Sequence, residues 1–349
     1  MDIDVNFNIT KVFLLTTIAF VITILWTPFL TNFLYRHKLG KKIRTENTTP
    51  IYSKMHQAKS GTPTMGGLLI WVTTAALAII FFLLSKSSID GFIEKLNFLT
   101  RSQTLLPLGA LVASAIVGLL DDLLNIRGVG TSGGGLRVRH RLIIYTLIAI
   151  VGAYWFYYKL DWTTLHLPFI GNFDIGIWYI PFFITVIVAT AFSVNEIDGL
   201  DGLAGGTLLA AFGAYGAIAF SQGKIELATF CGVIIGALLA FLWFNINPAR
   251  FFMGDTGAMS LGVTLGIVAM LTNSALLLPI IGLPFVIVAL SVIIQLISKR
   301  LFKRKVLISA PLHHHLEAKG WPEPKIVMRF WIIAGVMAVV GVIMYMIDK

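Results

Sequence analysis

Ten apolar runs, each about as long as a helix that crosses a bilayer, recur along this 349-residue chain. A transmembrane helix needs roughly 17 to 25 mostly apolar residues, because the hydrocarbon core of a membrane is about 30 Å thick. The runs lie at about 11–35, 66–85, 104–120, 142–158, 176–194, 203–221, 225–244, 257–273, 275–297 and 329–347. The sequence therefore predicts an all-α polytopic membrane protein with about ten transmembrane helices, forming a single domain over residues 1–349.

Basic residues are concentrated in the loops on one side of these spans. Of the 27 lysines and arginines, 20 lie in the five loops that follow odd-numbered spans. The positive-inside rule assigns those loops to the cytoplasm, so both termini are predicted to be extracytoplasmic. This bias, with the attraction of basic loops to anionic lipids, accounts for most of the formal charge of +10. No nucleic-acid partner is expected.

Carboxylates accumulate at the span ends on the same side. They are Asp121, Asp122, Asp198, Asp201 and Asp255. Unpaired carboxylates near the bilayer interior are costly, so five of them indicate a functional site in the cytoplasmic loops. Neighbouring residues on a helix point about 100° apart, and Asp121 and Asp122 are therefore expected to have different roles.

The stretch "NEIDGLDGLAGG", residues 195–206, follows the fifth span. If it is helical, Asn195, Asp198 and Asp201 stack on one face, and the glycines beside them permit close approach of a ligand. Two acids and an amide on one face suit a cation, or a sugar or base edge with hydrogen-bond donors. The alternative is a polar turn between two helices.

Two further loops carry possible phosphate and nucleotide chemistry. "KSGTPTMGG", residues 59–67, offers N–H groups and a lysine to an oxyanion, although an ordinary capped helix start explains this segment better on its own. In "WFNINPARFFMGDTGAMSLG", residues 243–262, an aromatic ring could stack on a nucleobase and Asp255 could hold Mg²⁺ against a diphosphate. The alternative for the phenylalanines is packing at the membrane surface.

Three consecutive histidines, His313, His314 and His315, lie in the loop 298–329, which is long enough to have structure of its own. Side chains at successive helix positions do not converge on one metal ion, and the other four histidines are scattered along the sequence. The triplet is therefore predicted to contact phosphate or to act in catalysis. A structural loop is the alternative.

These motifs together resemble one enzyme family. "GTPTMGG", "DD", "NEIDGLDGLAGG", "FNINPARFFMGDTGAMSLG" and "PLHHHLEAKGWPEPKIVMRFW" resemble the polyprenyl-phosphate N-acetylhexosamine-1-phosphate transferases, and the last is similar to their phospho-N-acetylmuramoyl-pentapeptide-transferase branch. The resemblance implies Mg²⁺-dependent transfer of phospho-MurNAc-pentapeptide from UDP-MurNAc-pentapeptide to undecaprenyl phosphate, giving lipid I and UMP. It also implies a homodimer in the bacterial cytoplasmic membrane, with a bent ninth span bordering a lipid groove.

The resemblance also assigns roles to residues. Asp255 is the implied magnesium ligand, Asp121 the base that activates the lipid phosphate, and Asp122 a supporting acid. The catalytic set is completed by His313 and His314, near the sugar and phosphates. The implied substrate-binding residues are Lys59, Thr64, Asn195, Asp198, Asp201, Asn245, Phe252 and His315. The chain departs from the family pattern at Asn125, Arg141 and Glu196.

Two other functions fit part of the pattern. A transferase that uses UDP-N-acetylglucosamine would share the carboxylates, but it is expected to lack the "HHHLEAKGWPEP" segment. An ion-coupled transporter would need acids near the middle of its spans, whereas these acids lie at one surface. The sequence therefore favours the muramoyl transferase.

Overall fold

The computed structural model describes residues 2–40, 56–87, 91–130 and 134–349. Its α-helices are α1 (Asp2–Arg36), α2 (Leu68–Leu84), α3 (Gly91–Lys95), α4 (Leu105–Arg127), α5 (Val138–Lys159), α6 (Tyr179–Ile197), α7 (Leu203–Ser221), α8 (Ile225–Asn245), α9 (Gly254–Leu271), α10 (Leu278–Ile281), α11 (Leu283–Leu301), α12 (Leu312–Ala318) and α13 (Glu323–Asp348). Strands β1 (Thr164–Leu167) and β2 (Gly171–Asp174) form an antiparallel hairpin. Short 3₁₀ turns lie at Gln57–Lys59, Gly176–Trp178 and Ala275–Leu277.

The helices confirm the predicted membrane architecture. Within the described ranges, nine helices are long and apolar enough to span a bilayer, and α2, with 17 residues, is a tenth apolar helix. Each matches one of the ten predicted runs. Their orientation across the membrane stays a prediction.

A break in the ninth span confirms the predicted bend. The helix stops at Ile281 and starts again at Leu283, with Gly282 between α10 and α11 and Pro284 in the first turn of α11. Proline lacks the N–H that would continue the backbone hydrogen bonds of the helix, and glycine weakens the helix further.

The β-hairpin was not predicted, and it identifies one end of the helix bundle. His166 Nε2 lies 2.5 Å from Asp348 Oδ2, so the hairpin between α5 and α6 contacts the last residue of α13. That contact places the loop after the fourth span beside the end of the tenth span. An even number of spans lies between these two places, so both are expected on the same side of the membrane.

Helix α9 forms the centre of the bundle. All of its residues are buried, and it packs against α4 and α6. Small residues allow this close packing, as is usual between membrane helices. At Gly118 in α4, a Cβ atom would overlap the backbone of Asp255. The start of α9 is therefore held tightly against α4, and Asp255 is its second residue.

Candidate active site

Four helices bring together an arginine, two carboxylates and an amide, which we name the arginine cluster: Arg141, Asp121, Asn195 and Asp255. Arg141 donates from Nε to Asp121 Oδ2 (2.8 Å), from Nη1 to Asn195 Oδ1 (2.8 Å) and from Nη2 to Asp255 Oδ2 (2.9 Å). Asn195 Nδ2 donates to Asp255 Oδ1 at 2.6 Å. Both carboxylates are at most 7% exposed, and the single positive charge of one guanidinium is shared between two buried acidic side chains.

Asp122 has a different set of partners from Asp121, as expected for neighbours on a helix. Its carboxylate accepts the backbone N–H groups of Asp255 and Thr256, each at 3.1 Å, and the Thr64 hydroxyl at 3.2 Å. It therefore caps the start of α9 from another helix, where a negative charge also complements the helix dipole. Asp122 holds Asp255 in place. A direct catalytic role of Asp122 stays a prediction.

The glycine-rich segment after Lys59 is bound by backbone hydrogen bonds rather than open to an anion. Its N–H donors reach backbone carbonyls in five cases: Ser60 to Gln57, Thr62 to Lys59, Thr64 to Leu39, Gly66 to Phe252 and Gly67 to Met253. Thr64 itself is fully buried. The segment therefore attaches the start of α2 to the residues that precede Asp255, and contact of Thr64 with substrate stays a prediction.

A second group, the lysine cluster, consists of Lys59, Asp201, Asn247 and Glu323. Lys59 Nζ lies 2.7 Å from Asp201 Oδ1 and 2.6 Å from Glu323 Oε1. Asn247 donates to both carboxylates, at 3.0 and 3.1 Å. Burial alone would lower the pKa of Lys59, but the hydrogen bonds to the two carboxylates outweigh it and raise the pKa. Lys59 is thus a fixed positive charge at the bundle end.

Asn245 and Phe252 lie beside the lysine cluster. Asn245 accepts the N–H of Gly202 at 2.9 Å and donates to the carbonyl of Phe251 at 2.8 Å, so it joins two loops. Phe252 is half-buried, with its ring centroid 6.0 Å from Lys59 Nζ. An exposed ring face beside a cation suits a nucleobase next to phosphates. Contact of Asn245 with the donor stays a prediction.

Comparing Phe252 with its neighbour tests the nucleobase assignment. Base stacking on an aromatic ring contributes about 1–3 kcal/mol, so Phe252→Leu should raise the KM for the nucleotide donor roughly tenfold. Phe251 is fully buried between Phe241 and Phe244, and Phe251→Leu should instead lower Tm. Steady-state kinetics and thermal unfolding of both variants separate the two effects. Equal donor KM values for Phe252→Leu and wild type would refute the stacking role.

The three consecutive histidines face three environments, as their spacing predicts. His313 is fully buried, and both of its ring nitrogens lack a hydrogen-bond partner among the described residues. His314 Nδ1 lies 2.6 Å from Glu317 Oε2. His315 is half-buried and accepts the N–H of Ile308 at 3.1 Å, which ties α12 to the preceding loop. Binding of substrate by His315 stays a prediction.

A fourth histidine, His56, joins this group. His56 Nε2 lies 3.3 Å from Glu317 Oε2, and its ring centroid is 5.2 Å from that of His314. We name His56, His313, His314 and Glu317 the histidine cluster. Burial alone would raise the pKa of Glu317, but hydrogen bonds to the two histidines lower it to about 2. Burial also lowers the pKa values of His313 and His314, which favours the neutral form of both imidazoles.

The predicted single helical face of Asn195, Asp198 and Asp201 is wrong. Helix α6 ends at Ile197, and Asp198, with a ψ of 57°, already leaves the helical region. The glycine-rich continuation favours a turn there. Asn195 therefore belongs to the arginine cluster and Asp201 to the lysine cluster, while half-buried Asp198 lies on the turn between them.

This turn connects all three clusters. A Cβ atom on Gly199 would overlap His313 Nε2 and would lie 3.0 Å from His314 Nε2, so both imidazoles press against the backbone of this glycine. Within seven residues the chain passes from Asn195 through Gly199 to Asp201. The three clusters therefore line one continuous site at one end of the bundle.

The sequence did not identify several members of the site: His56, Asn247, Glu317 and Glu323 were not singled out, and Arg141 was noted only as a departure from the family pattern. The partners lie far apart along the chain, such as His56 and Glu317, and no local spacing predicts such contacts. Glu323 had one signal, its place in "GWPEP" next to the histidine segment.

Two models of known protein families match this chain. The family model described as glycosyl transferase family 4 matches residues 104–273, and phospho-N-acetylmuramoyl-pentapeptide-transferase signature 1 matches residues 59–70. The first range contains the whole arginine cluster, and the second begins at Lys59.

Similar proteins cover nearly the whole chain. A phospho-N-acetylmuramoyl-pentapeptide-transferase from Chloroflexus aggregans is 38% identical, over 96% of this chain and 89% of the relative. Proteins of the same name from Geobacillus thermodenitrificans (38% identical, 93% of this chain and 95% of the relative) and Anoxybacillus flavithermus (39% identical, 95% and 97%) are similar to it as well. The chain belongs to the phospho-N-acetylmuramoyl-pentapeptide-transferase family, and the resemblance read from its motifs is confirmed.

Proposed function

We propose that the protein transfers phospho-MurNAc-pentapeptide from UDP-MurNAc-pentapeptide to undecaprenyl phosphate, producing lipid I and UMP. The observation that carries the proposal is the convergence of Asp121, Asn195 and Asp255 on one cationic centre, the guanidinium of Arg141, at one end of the bundle. An oxygen of the lipid phosphate forms a bond to the β-phosphorus of the donor. The bond from that phosphorus to the bridging oxygen breaks, and UMP leaves.

The residues of the arginine cluster fit a magnesium ion. Mg²⁺ prefers hard oxygen ligands, and the cluster offers Asp121 Oδ2, Asp255 Oδ2 and Asn195 Oδ1, which now surround the positively charged guanidinium of Arg141. Asp255 is the proposed principal ligand, held at the start of α9. Bound there, Mg²⁺ would neutralise negative charge on the diphosphate.

The remaining groups bind and orient the two substrates. Lys59 supplies a fixed positive charge for the phosphates, and Phe252 beside it supplies a face for uracil. Asp121 is the proposed base for the lipid phosphate. His314 presents its Nε2 to Gly199, which lies between Asp198 and Asp201 in the sequence, and the sugar and phosphates are expected on this side.

Arg141 offsets part of the negative charge of this site, and its removal tests the magnesium position. Two unit charges 4 Å apart interact by about 4 kcal/mol at an effective dielectric constant of 20, so removing the guanidinium should favour any other cation there. Arg141→Met is expected to bind Mn²⁺, measured by electron paramagnetic resonance, at least about tenfold more tightly than wild type. Arg141→Lys keeps the charge and should bind Mn²⁺ like wild type. Weaker Mn²⁺ binding in Arg141→Met would place the ion elsewhere.

Assay of the purified protein in detergent tests the function itself. With undecaprenyl phosphate and Mg²⁺, UDP-MurNAc-pentapeptide should give UMP and a lipid-linked product, whereas UDP-N-acetylglucosamine should give neither. Product from UDP-N-acetylglucosamine alone would favour the alternative transferase. The multi-pass protein is expected to lie in the bacterial cytoplasmic membrane as a homodimer, and light scattering in detergent measures that assembly.

A further inference from the structure

The histidine cluster contains a set of metal ligands separate from the arginine cluster. His56, His314 and Glu317 each offer one ligand atom, and these three atoms lie within 4.8 Å of one another. His56 is 3% exposed and His314 is 5% exposed, while the Glu317 side chain is 10% exposed. Three ligands supplied by two imidazoles and a carboxylate are typical of zinc sites that leave one coordination position open.

The donor types distinguish this site from the proposed magnesium site. Imidazole nitrogens suit Zn²⁺ and similar divalent transition metals, whereas Mg²⁺ prefers a set made of oxygens. The arginine cluster offers only oxygens, and the histidine cluster offers two nitrogens and one oxygen. The two positions are therefore expected to select different ions.

The two distances from Glu317 Oε2 to the imidazole nitrogens can be compared with those that a tetrahedral ion requires, and the third pair of ligand atoms lies within 4.8 Å. Ligand atoms about 2.0–2.1 Å from zinc lie about 3.3 Å from each other. His56 Nε2 and Glu317 Oε2 are 3.3 Å apart, which fits without movement. His314 Nδ1 and Glu317 Oε2 are 2.6 Å apart, and this pair must separate by about 0.7 Å, which a small side-chain rotation of Glu317 supplies.

We propose that His56, His314 and Glu317 form a binding site for a divalent transition-metal ion of the zinc type. The histidine triplet alone does not form it, in agreement with the spacing of its side chains. The site instead needs His56, which precedes Lys59 in the first loop of the site and approaches α12 only in the folded chain. A bound ion would fasten these two segments together.

A bound ion would also reverse the hydrogen-bonding role of His314. When Nδ1 donates to Glu317 in the metal-free protein, a neutral imidazole has its lone pair on Nε2, toward Gly199. When Nδ1 binds the metal, the proton moves to Nε2, which becomes a donor. His314 then no longer accepts a proton on the substrate side, and zinc is expected to inhibit transfer. The expected inhibition by zinc rests on the proposed function.

Zinc binding to the full-length protein in detergent, without substrates, tests the site. After equilibration with ZnCl₂ and desalting, wild type should retain one zinc per chain by mass spectrometry, and Co²⁺ should give the absorption bands of a tetrahedral ion. His56→Gln and Glu317→Gln should each bind zinc at least tenfold more weakly. His37→Gln, at an exposed histidine after α1, is the matched control and should bind like wild type.

The outcomes separate this site from the proposed function. Equal zinc affinity in wild type, His56→Gln and Glu317→Gln would overturn the proposal. If His56→Gln does not fold, the comparison of Glu317→Gln with wild type tests the site. In the transfer assay at saturating Mg²⁺, His56→Gln should need at least tenfold more zinc for half-inhibition than wild type. Unchanged wild-type activity with zinc bound would overturn the inhibitory role. Zinc binding in a protein without transfer activity would contradict only the proposed function.

Discussion

Replacing Asp255 by asparagine is expected to lower the rate of transfer by roughly 10²- to 10³-fold, because a metal ion contributes several kcal/mol to such a transition state. The asparagine side chain keeps the shape of the carboxylate but loses its charge. Its amide would also place a donor against Arg141 or Asn195, both of which now donate to this position. Affinity for Mn²⁺ should fall together with the rate.

Kinetics of the purified variant at increasing Mg²⁺ concentrations measure this effect. Asp174→Asn in β2 is a suitable control, because the hairpin lies at the opposite end of α13 from Glu323 and should leave the rate unchanged. Transfer by Asp255→Asn at the wild-type rate would exclude Asp255 as a metal ligand.

Adding one methyl group at Gly118 is expected to lower the activity of the protein without touching a charged side chain. A Cβ atom there would overlap the Asp255 carbonyl oxygen, and it would lie 2.5 Å from the Asp255 carbonyl carbon and 2.6 Å from Thr256 Cα. These are backbone atoms, so the start of α9 must move. Overpacking of this kind costs about 1–3 kcal/mol, and the displaced Asp255 should lower the rate at least about tenfold.

Gly109 provides the matched control on the same helix. A Cβ atom on Gly109 would meet nothing within 4 Å, and this residue faces outward from the bundle. Gly109→Ala should keep full activity and an equal or higher Tm, because alanine favours helices. Gly118→Ala should have a lower Tm and lower activity. Equal activity of the two variants would show that α4 does not position Asp255.

The membrane architecture could be predicted because it depends on local properties of the sequence. A run of apolar residues long enough to cross the bilayer has no stable alternative to a helix in the membrane. The bend at Gly282, which the family resemblance implied, also has a local cause, because glycine and proline both interrupt the hydrogen bonds of a helix. The hairpin β1–β2 has only four residues in each strand and lies in a loop. The long apolar runs that predict transmembrane helices do not predict such a short element.

The site could be predicted only in part. Acids at the span ends indicated the location of the site and its main residues, because burying a carboxylate near the membrane costs free energy and is therefore usually linked to function. Their partners could not be predicted, because Arg141 reaches Asp255 and Lys59 reaches Glu323 across long stretches of sequence. The turn at Asp198 was the alternative that the sequence left open, because helical spacing and a turn both fit "NEIDGLDG" and only tertiary contacts decide between them.

The most direct test of the proposed reaction follows the β-phosphorus of the donor. UDP-MurNAc-pentapeptide labelled with ³²P at the β-position is incubated with the purified protein, undecaprenyl phosphate and Mg²⁺. Phosphosugar transfer predicts that the label enters the lipid product and that unlabelled UMP is released in equal amount. Labelled UDP with an unlabelled lipid, or no lipid product at all, would contradict the account.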